Sequence, residues 1–161
     1  MTQLSDMQKP SGDSVEHQLS YHDGTTRTVY DTGVEHPYPD GKLIVSSTDL
    51  NGILTHVNDA FVAISGYTKE ELLGKPHHIL RHPDMPSEAF ADLWATVKAG
   101  NKWHGYVKNL CKDGGHYWVY ATVVPNIRRG EVVGYTSVRR KPSRSKIEEA
   151  SKQYAALKGA N

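Results

Sequence analysis

Ten residues, His77-His78-Ile79-Leu80-Arg81-His82-Pro83-Asp84-Met85-Pro86, bring together three imidazoles, a guanidinium and a carboxylate. A hydrophobic core has no use for that composition, so a ligand is to be sought here. Arg81 carries a planar fork of donors that matches a phosphate with paired hydrogen bonds. Histidines can stack on or hydrogen-bond a flat ring. Asp84, held stiffly between two prolines, can accept from a ligand hydroxyl or fix Arg81. The same residues also suit a polar surface loop in which Asp84 caps the next helix.

Metal is a weaker reading of the segment. His78 and His82 are four apart and would align on a helix, but no Cys or Glu nearby completes a ligand set. No metal site is therefore expected. Heme needs a single proximal histidine and stays open as the alternative ligand. Catalysis lacks support, because no acid/base pair stands opposite the segment, and a binding module is expected in place of an enzyme.

Further along, Trp94 lies on a helical stripe with Phe90, Leu93 and Val97, and Trp103 opens a β-rich run. Both read equally as core or as stacking surface for a ring. Tyr117 and Trp118 are neighbours on one strand and must face opposite sides, one toward the interior and the other toward a covering segment. Asn109 sits in a β-prone run. An inward amide there is costly unless a ligand offers it a donor and an acceptor, and an outward one needs no explanation. Cys111 is read as a packed residue.

The elements that must position these groups are legible from turns and caps. Leu43–Ser47 and Ile53–His56 flank Asp49-Leu50-Asn51-Gly52, a hairpin signal. Asn58 and Asp59 can cap a helical piece carrying Phe61, Val62 and Ile64, which Gly66 stops. Thr68-Lys69-Glu70-Glu71 has the capping-box pattern. Ser87 can cap a longer helix ending at Gly100. Three β-rich runs follow, over about 103–111, 115–125 and 131–139, separated by Asp113-Gly114-Gly115 and Arg128-Arg129-Gly130. A second capping box, Ser145-Lys146-Ile147-Glu148, starts a last helix with Ile147, Ala150, Tyr154 and Leu157 on one side. This order predicts an α+β fold, an antiparallel five-stranded sheet with helices on one face enclosing a cavity.

Composition narrows the function classes. Among 161 residues, 19 Lys and Arg against 18 Asp and Glu give a net charge of +1, which makes no electrostatic case for nucleic acid. One cysteine excludes a disulfide within the chain and a cysteine-built zinc site. No apolar run reaches the length of a membrane span and the start lacks a signal-peptide pattern, so a cytoplasmic setting is expected. Residues 1–42 are expected to be a flexible arm or cap, with the first twenty or so unstructured. Residues 43–141 are expected to be the main domain and 142–161 an exit helix.

With these residues in these places, the chain resembles a PAS domain, and more narrowly the flavin-binding PAS domain of bacterial aerotaxis receptors. The resemblance runs from about Tyr38 to Leu157. It rests on Ser47-Thr48-Asp49-Leu50, Thr55-His56-Val57-Asn58-Asp59-Ala60-Phe61, Ser65-Gly66-Tyr67-Thr68, Arg81-His82-Pro83-Asp84-Met85-Pro86, Phe90-Ala91-Asp92-Leu93-Trp94, Val107-Lys108-Asn109 and His116-Tyr117-Trp118-Val119. It implies non-covalent FAD in the cavity, reporting oxygen or redox state to an aerotaxis signalling module. Asn58, His77, Arg81, His82, Asp84, Trp94, Asn109 and Tyr117 match positions tied to flavin binding or signalling in that family, and Trp103 joins them as a candidate stacking surface. Leu110-Cys111 stands where the family often has a basic pair, and Asp113-Gly114-Gly115 replaces its usual Asn-Gly-Asp turn.

Partners implied are the flavin, a downstream HAMP and methyl-accepting signalling region or a separate signalling protein, and a second copy in a homodimer. The cytosolic part of an inner-membrane receptor, cut after Asn161, and a free-standing sensor both fit the sequence. A small organic ligand in place of FAD is the other PAS reading.

Overall fold

Asn51-Gly52 and the two later glycine turns fold adjacent β-prone runs back on each other, and the computed structural model, which describes residues 3–159, contains the expected sheet. Its strands are β3 (Ile44–Thr48), β4 (Leu54–Val57), β5 (Trp103–Leu110), β6 (His116–Arg128) and β7 (Glu131–Arg140), in the spatial order β4-β3-β7-β6-β5. All neighbours are antiparallel. The central pairing of β3 with β7 joins residues about ninety apart, with Ser46 opposite Ser137.

Between β4 and β5 lie α1 (Asp59–Ser65), α2 (Lys69–Leu72), a 3-10 turn (His77–Leu80) and α3 (Ser87–Lys98). Local chemistry sets most boundaries. Asn58 caps α1 by accepting from the Phe61 amide, and Gly66, with φ of 80°, closes it in the left-handed region. Thr68 and Glu71 form the expected capping box. One inner face of the sheet and these helices bury Ile44, Leu54, Val57, Phe61, Leu72, Leu93, Val97, Tyr117 and Val119 in a common core.

Three expectations need correction. The opening residues are not unstructured: β1 (Val15–Ser20) pairs with β2 (Thr26–Asp31) in a separate hairpin. Its polar composition hides the few groups that hold it. Val29 is fully buried with Met7, Leu4 joins the main core, and Arg27, 5% exposed, donates to the carbonyls of Ser5 and Ile79 and to the Tyr67 hydroxyl. The arm then runs beside the β5–β6 turn, exchanging backbone hydrogen bonds between His36, Val34 and His116.

Second, Ser87 does not cap α3. Pro86 occupies that position with extended backbone and no side-chain cap, and Ser87 falls inside the first turn. Third, α4 (Arg144–Gly159) begins before Ser145, and the Ser143 hydroxyl accepts from the Lys146 amide. In both cases a serine one or two residues past the true cap misled the pattern. The last helix docks on its own domain: Ile147, Ala150 and Tyr154 pack on Trp118 and Tyr106, outside the sheet, and the Tyr154 hydroxyl donates to the Tyr106 carbonyl. No described helix is long and apolar enough to cross a membrane.

Candidate functional site

Alternation along the strands determines what the helices and sheet enclose. Side chains two apart share a face. Ser46 and Thr48 of β3, Trp103, Val107 and Asn109 of β5, Ala121 and Val123 of β6, and Tyr135, Ser137 and Arg139 of β7 all point into one cavity. Phe90, Leu93 and Trp94 close it from α3 at helical spacing, and His77, His78, Leu80 and Arg81 from the His-rich segment. The segment is held at the free edge of β5. Arg81 bridges Asn109 through the backbone, and the Met85 sulfur accepts from the Lys108 amide at 3.4 Å.

Among the described residues, no Asp or Glu lines this cavity. Two guanidinium groups and an amide do, and the atoms Arg81 Nε, Arg139 Nη1 and Asn109 Nδ2 are buried without a hydrogen-bond partner. Burial lowers the pKa of both arginines, so each charge is held at a cost. Flat rings offset part of it: Arg81 lies 5.0 Å from the Phe90 centroid and Arg139 5.2 Å from that of Phe61. A wall of unpaired donors without a carboxylate is matched to an acceptor-rich or anionic ligand.

The histidines on this wall are neutral. Burial pulls His77 down to about 3, and burial with the nearby His22, Arg81 and Arg27 outweighs Asp23 to hold His78 at about 4. His77 leans on Trp94 at 5.3 Å, and Trp94 meets Tyr135 edge-on at 5.5 Å. Gly52 closes this corner from the hairpin turn, where a Cβ would sit 3.2 Å from His77 and 3.4 Å from Trp94. Trp103 is fixed at both ends. Its indole N–H donates to Asp92 of α3 at 2.8 Å, and its ring lies over Gly105, where a Cβ would come within 2.3 Å.

The free space is about 80 Å³ as the side chains stand. Small-molecule pockets commonly measure roughly 300–1,000 Å³. A ligand of that class therefore requires the long side chains of the wall to move outward.

The sequence-derived candidates divide in two. His77, Arg81, Trp94, Trp103 and Asn109 line the cavity. Asn58, His82, Asp84 and Tyr117 do not. Asn58 is occupied in capping α1 and in holding β3, donating to the Leu43 carbonyl and accepting from the Val45 amide. His82, fully buried, faces Asp31 of the N-terminal hairpin at 3.4 Å. Asp84 is half-exposed and paired with Lys108 at 2.8 Å, which with His82 draws its pKa down despite burial. Tyr117 is buried on the inner face of β6, its hydroxyl without a partner and its pKa raised by desolvation against the opposing charge of Arg139.

Arg139, Ser46, Ser137, Thr48 and Tyr135 are wall residues that the sequence reading missed. The signal that could have found Arg139 was its spacing from Tyr135 and Ser137 on an alternating strand. Cys111 lies in the turn after β5, packed and donating to the Ile64 carbonyl, and burial pushes its thiol up to about 12.

A family model described as the PAS fold matches residues 54–139. The chain belongs to the PAS family. This PAS domain is 48% identical over 128 residues to the aerotaxis receptor of Escherichia coli (strain K12), a match covering 80% of this chain and 25% of that receptor. The chain thus spans about a quarter of that receptor's length. Among solved structures, the PAS domain of a Colwellia psychrerythraea protein superposes with a TM-score of 0.57 at 27% identity, covering 62% of this chain and 86% of that one. A light-oxygen-voltage domain studied with a flavin analogue superposes with a TM-score of 0.60 at 21% identity, covering 69% of this chain and 84% of that one, and shows the same fold. PAS membership accounts for the cavity between the inner sheet face and the helices.

Proposed function

We propose that the domain binds a flavin, FAD, in this cavity and serves as the sensing part of an aerotaxis-type receptor, without turnover. The observation that carries the reading is the 48% identity to the aerotaxis receptor across most of this chain. The cavity supports it chemically: Asn109, Arg81 and Arg139 offer unpaired donors to the carbonyl-rich edge and phosphates of such a ligand. Trp94, Trp103, Phe90 and Tyr135 supply the apolar surface for a flat ring.

A bound flavin supplies a ring whose charge and hydrogen-bonding pattern follow the redox state of its surroundings. The chain must read that change. Asn109 can turn its amide to present either donor or acceptor, and its backbone is bridged to Arg81. From there the His-rich segment reaches the hairpin through the Tyr21–His78 stack, 4.0 Å between centroids, and through Arg27 on the Ile79 carbonyl. His82, Asp84, Asn58 and Tyr117 act in this reading by positioning the wall. The output goes to a downstream signalling region or a separate signalling protein.

An absorbance spectrum of the purified protein is the direct test, with chromatography of the heat-released cofactor. Flavin bands that bleach with dithionite, and FAD in the supernatant, are expected. A Soret band would replace the flavin with heme. Colourless protein whose melting temperature FAD does not raise, but another metabolite does, would make it a sensor of that metabolite. Sustained NAD(P)H oxidation would show an enzyme.

A further inference from the structure

We propose that Asp31, His82 and His116 form a binding site for a divalent transition-metal ion, zinc above others, that fastens the N-terminal hairpin to the sensor domain. The three side chains come from the end of β2, the loop before α3 and the start of β6. Each offers one ligand atom, and the three atoms lie within 4.8 Å of one another. Sequence proximity concealed this set, because the third ligand that the His-rich segment lacks is provided by fold contacts with residues 31 and 116. The site is apart from the cavity and does not depend on what the cavity binds.

Two independent features support it. His82 Nε2 and His116 Nδ1 are both buried without a hydrogen-bond partner, in residues 0% and 8% exposed. Buried imidazole nitrogens left unpaired need a reason. The other nitrogen of each ring has a carboxylate close by: Asp84 lies 3.8 Å from His82 Nδ1, and Glu35 lies 3.9 Å from His116 Nε2. Carboxylates behind ligating histidines fix ring orientation and raise basicity. Two imidazoles and a carboxylate, with water completing a tetrahedron, suit zinc.

One cation opposes the ion: Lys108 acts on both histidines, but its ammonium is held by Asp84 at 2.8 Å. One rearrangement is required. The Asp84 amide now donates to His82 Nδ1 at 3.0 Å, placing the ring proton on Nε2. Coordination through Nε2 moves that proton to Nδ1, where the Asp84 carboxylate accepts it.

A second cluster, His36, Cys111 and Asp113, has comparable spacing but satisfied members. His36 is bound to Asp113 at 2.9 Å and the Cys111 thiol is engaged with Ile64. It serves as the control.

The test titrates the EDTA-treated chain with zinc chloride, followed by calorimetry and thermal unfolding. One equivalent bound, with a raised melting temperature, is expected. Asp31→Asn, isosteric and partly exposed, is expected to weaken zinc binding about tenfold or more while leaving the circular dichroism unchanged. His116→Gln is expected to do the same, and His36→Ala to leave binding as it was. Failure of zinc to raise the melting temperature would overturn the proposal. So would stoichiometric binding that survives both Asp31→Asn and His116→Gln, or binding lost in His36→Ala instead.

Discussion

His77, His78 and Arg81 stand on the cavity wall, whereas His82 and Asp84, only a few residues further along the same segment, turn toward the N-terminal hairpin and the edge of β5. The first group lines a cavity whose described wall carries donors and no Asp or Glu, with Asp23 acting on His78 from outside that wall. The second is surrounded by acids: Asp31 and Asp84 flank His82, and Glu35 stands beside His116. One short stretch of chain thus joins a wall of donors to a cluster of carboxylates. The 3-10 turn is what separates them, since its tight pitch ends at Arg81 and the backbone leaves it extended. A continuous α-helix would have stacked His78 over His82 and merged the two.

The largest effect that probes this division is acidification. Unfolded histidines protonate near pH 6.5, but burial depresses His78 to about 4 and His77 to about 3 on the cavity side. Below pH 6.5 the unfolded chain therefore binds more protons, and stability, complete above that pH, falls as pH drops toward 4. At pH 5 the expected loss from His78 alone is about 2 kcal/mol, with His77 and His82 adding in the same direction. Thermal unfolding across pH 7 to 5 measures it, and His78→Asn should flatten the slope. An unchanged slope would mean that the cavity side is already open to water.

Arg27→Met comes next. It removes the guanidinium that joins the hairpin to Ile79 and Tyr67, leaving buried acceptors unpaired, and should cost about 2–3 kcal/mol. Hydrogen exchange should rise across residues 15–31 more than in β5 and β6. Uniform acceleration would show that hairpin and sheet unfold as one unit.

Arg139→Met tests the cavity side alone. Flavin affinity should fall about 10–100-fold, the worth of a charge-assisted hydrogen bond, with the hairpin's exchange unaltered. An affinity that stays the same removes Arg139 from the site. The smallest effect belongs to Asp84→Asn. The Lys108 pair is half-exposed, so chemical denaturation should show a change of about 1 kcal/mol or less. Flavin affinity should stay within about twofold if the halves are separate.

Sequence patterns revealed features whose causes are local. The Asn51-Gly52 turn, the caps of α1 and α2 and the closing glycines depend on residues a few positions apart, and the resemblance linked them into the right sheet. The alternation of Tyr135, Ser137 and Arg139 marks one side of β7, but that this side faces inward depends on the pairing of β7 with β3, far away in the chain. His82 reads from sequence as a cavity residue because its neighbours His77, His78 and Arg81 are on the wall. Only the 3-10 geometry, and the arrival of Asp31 from a hairpin that looked unstructured, turn it away. The hairpin itself was hidden because three buried anchors, Leu4, Val29 and Arg27, hold an otherwise polar stretch.

The contact between Trp103 and Gly105 has a consequence for descent. With the indole lying where any Cβ at position 105 would have to stand, the two residues cannot drift independently. A lineage that gains a side chain at 105 must first release the ring, and in doing so reshapes the cavity before any wall residue has changed. Variation in ligand choice among relatives of this domain should therefore track that pair as a single inherited unit.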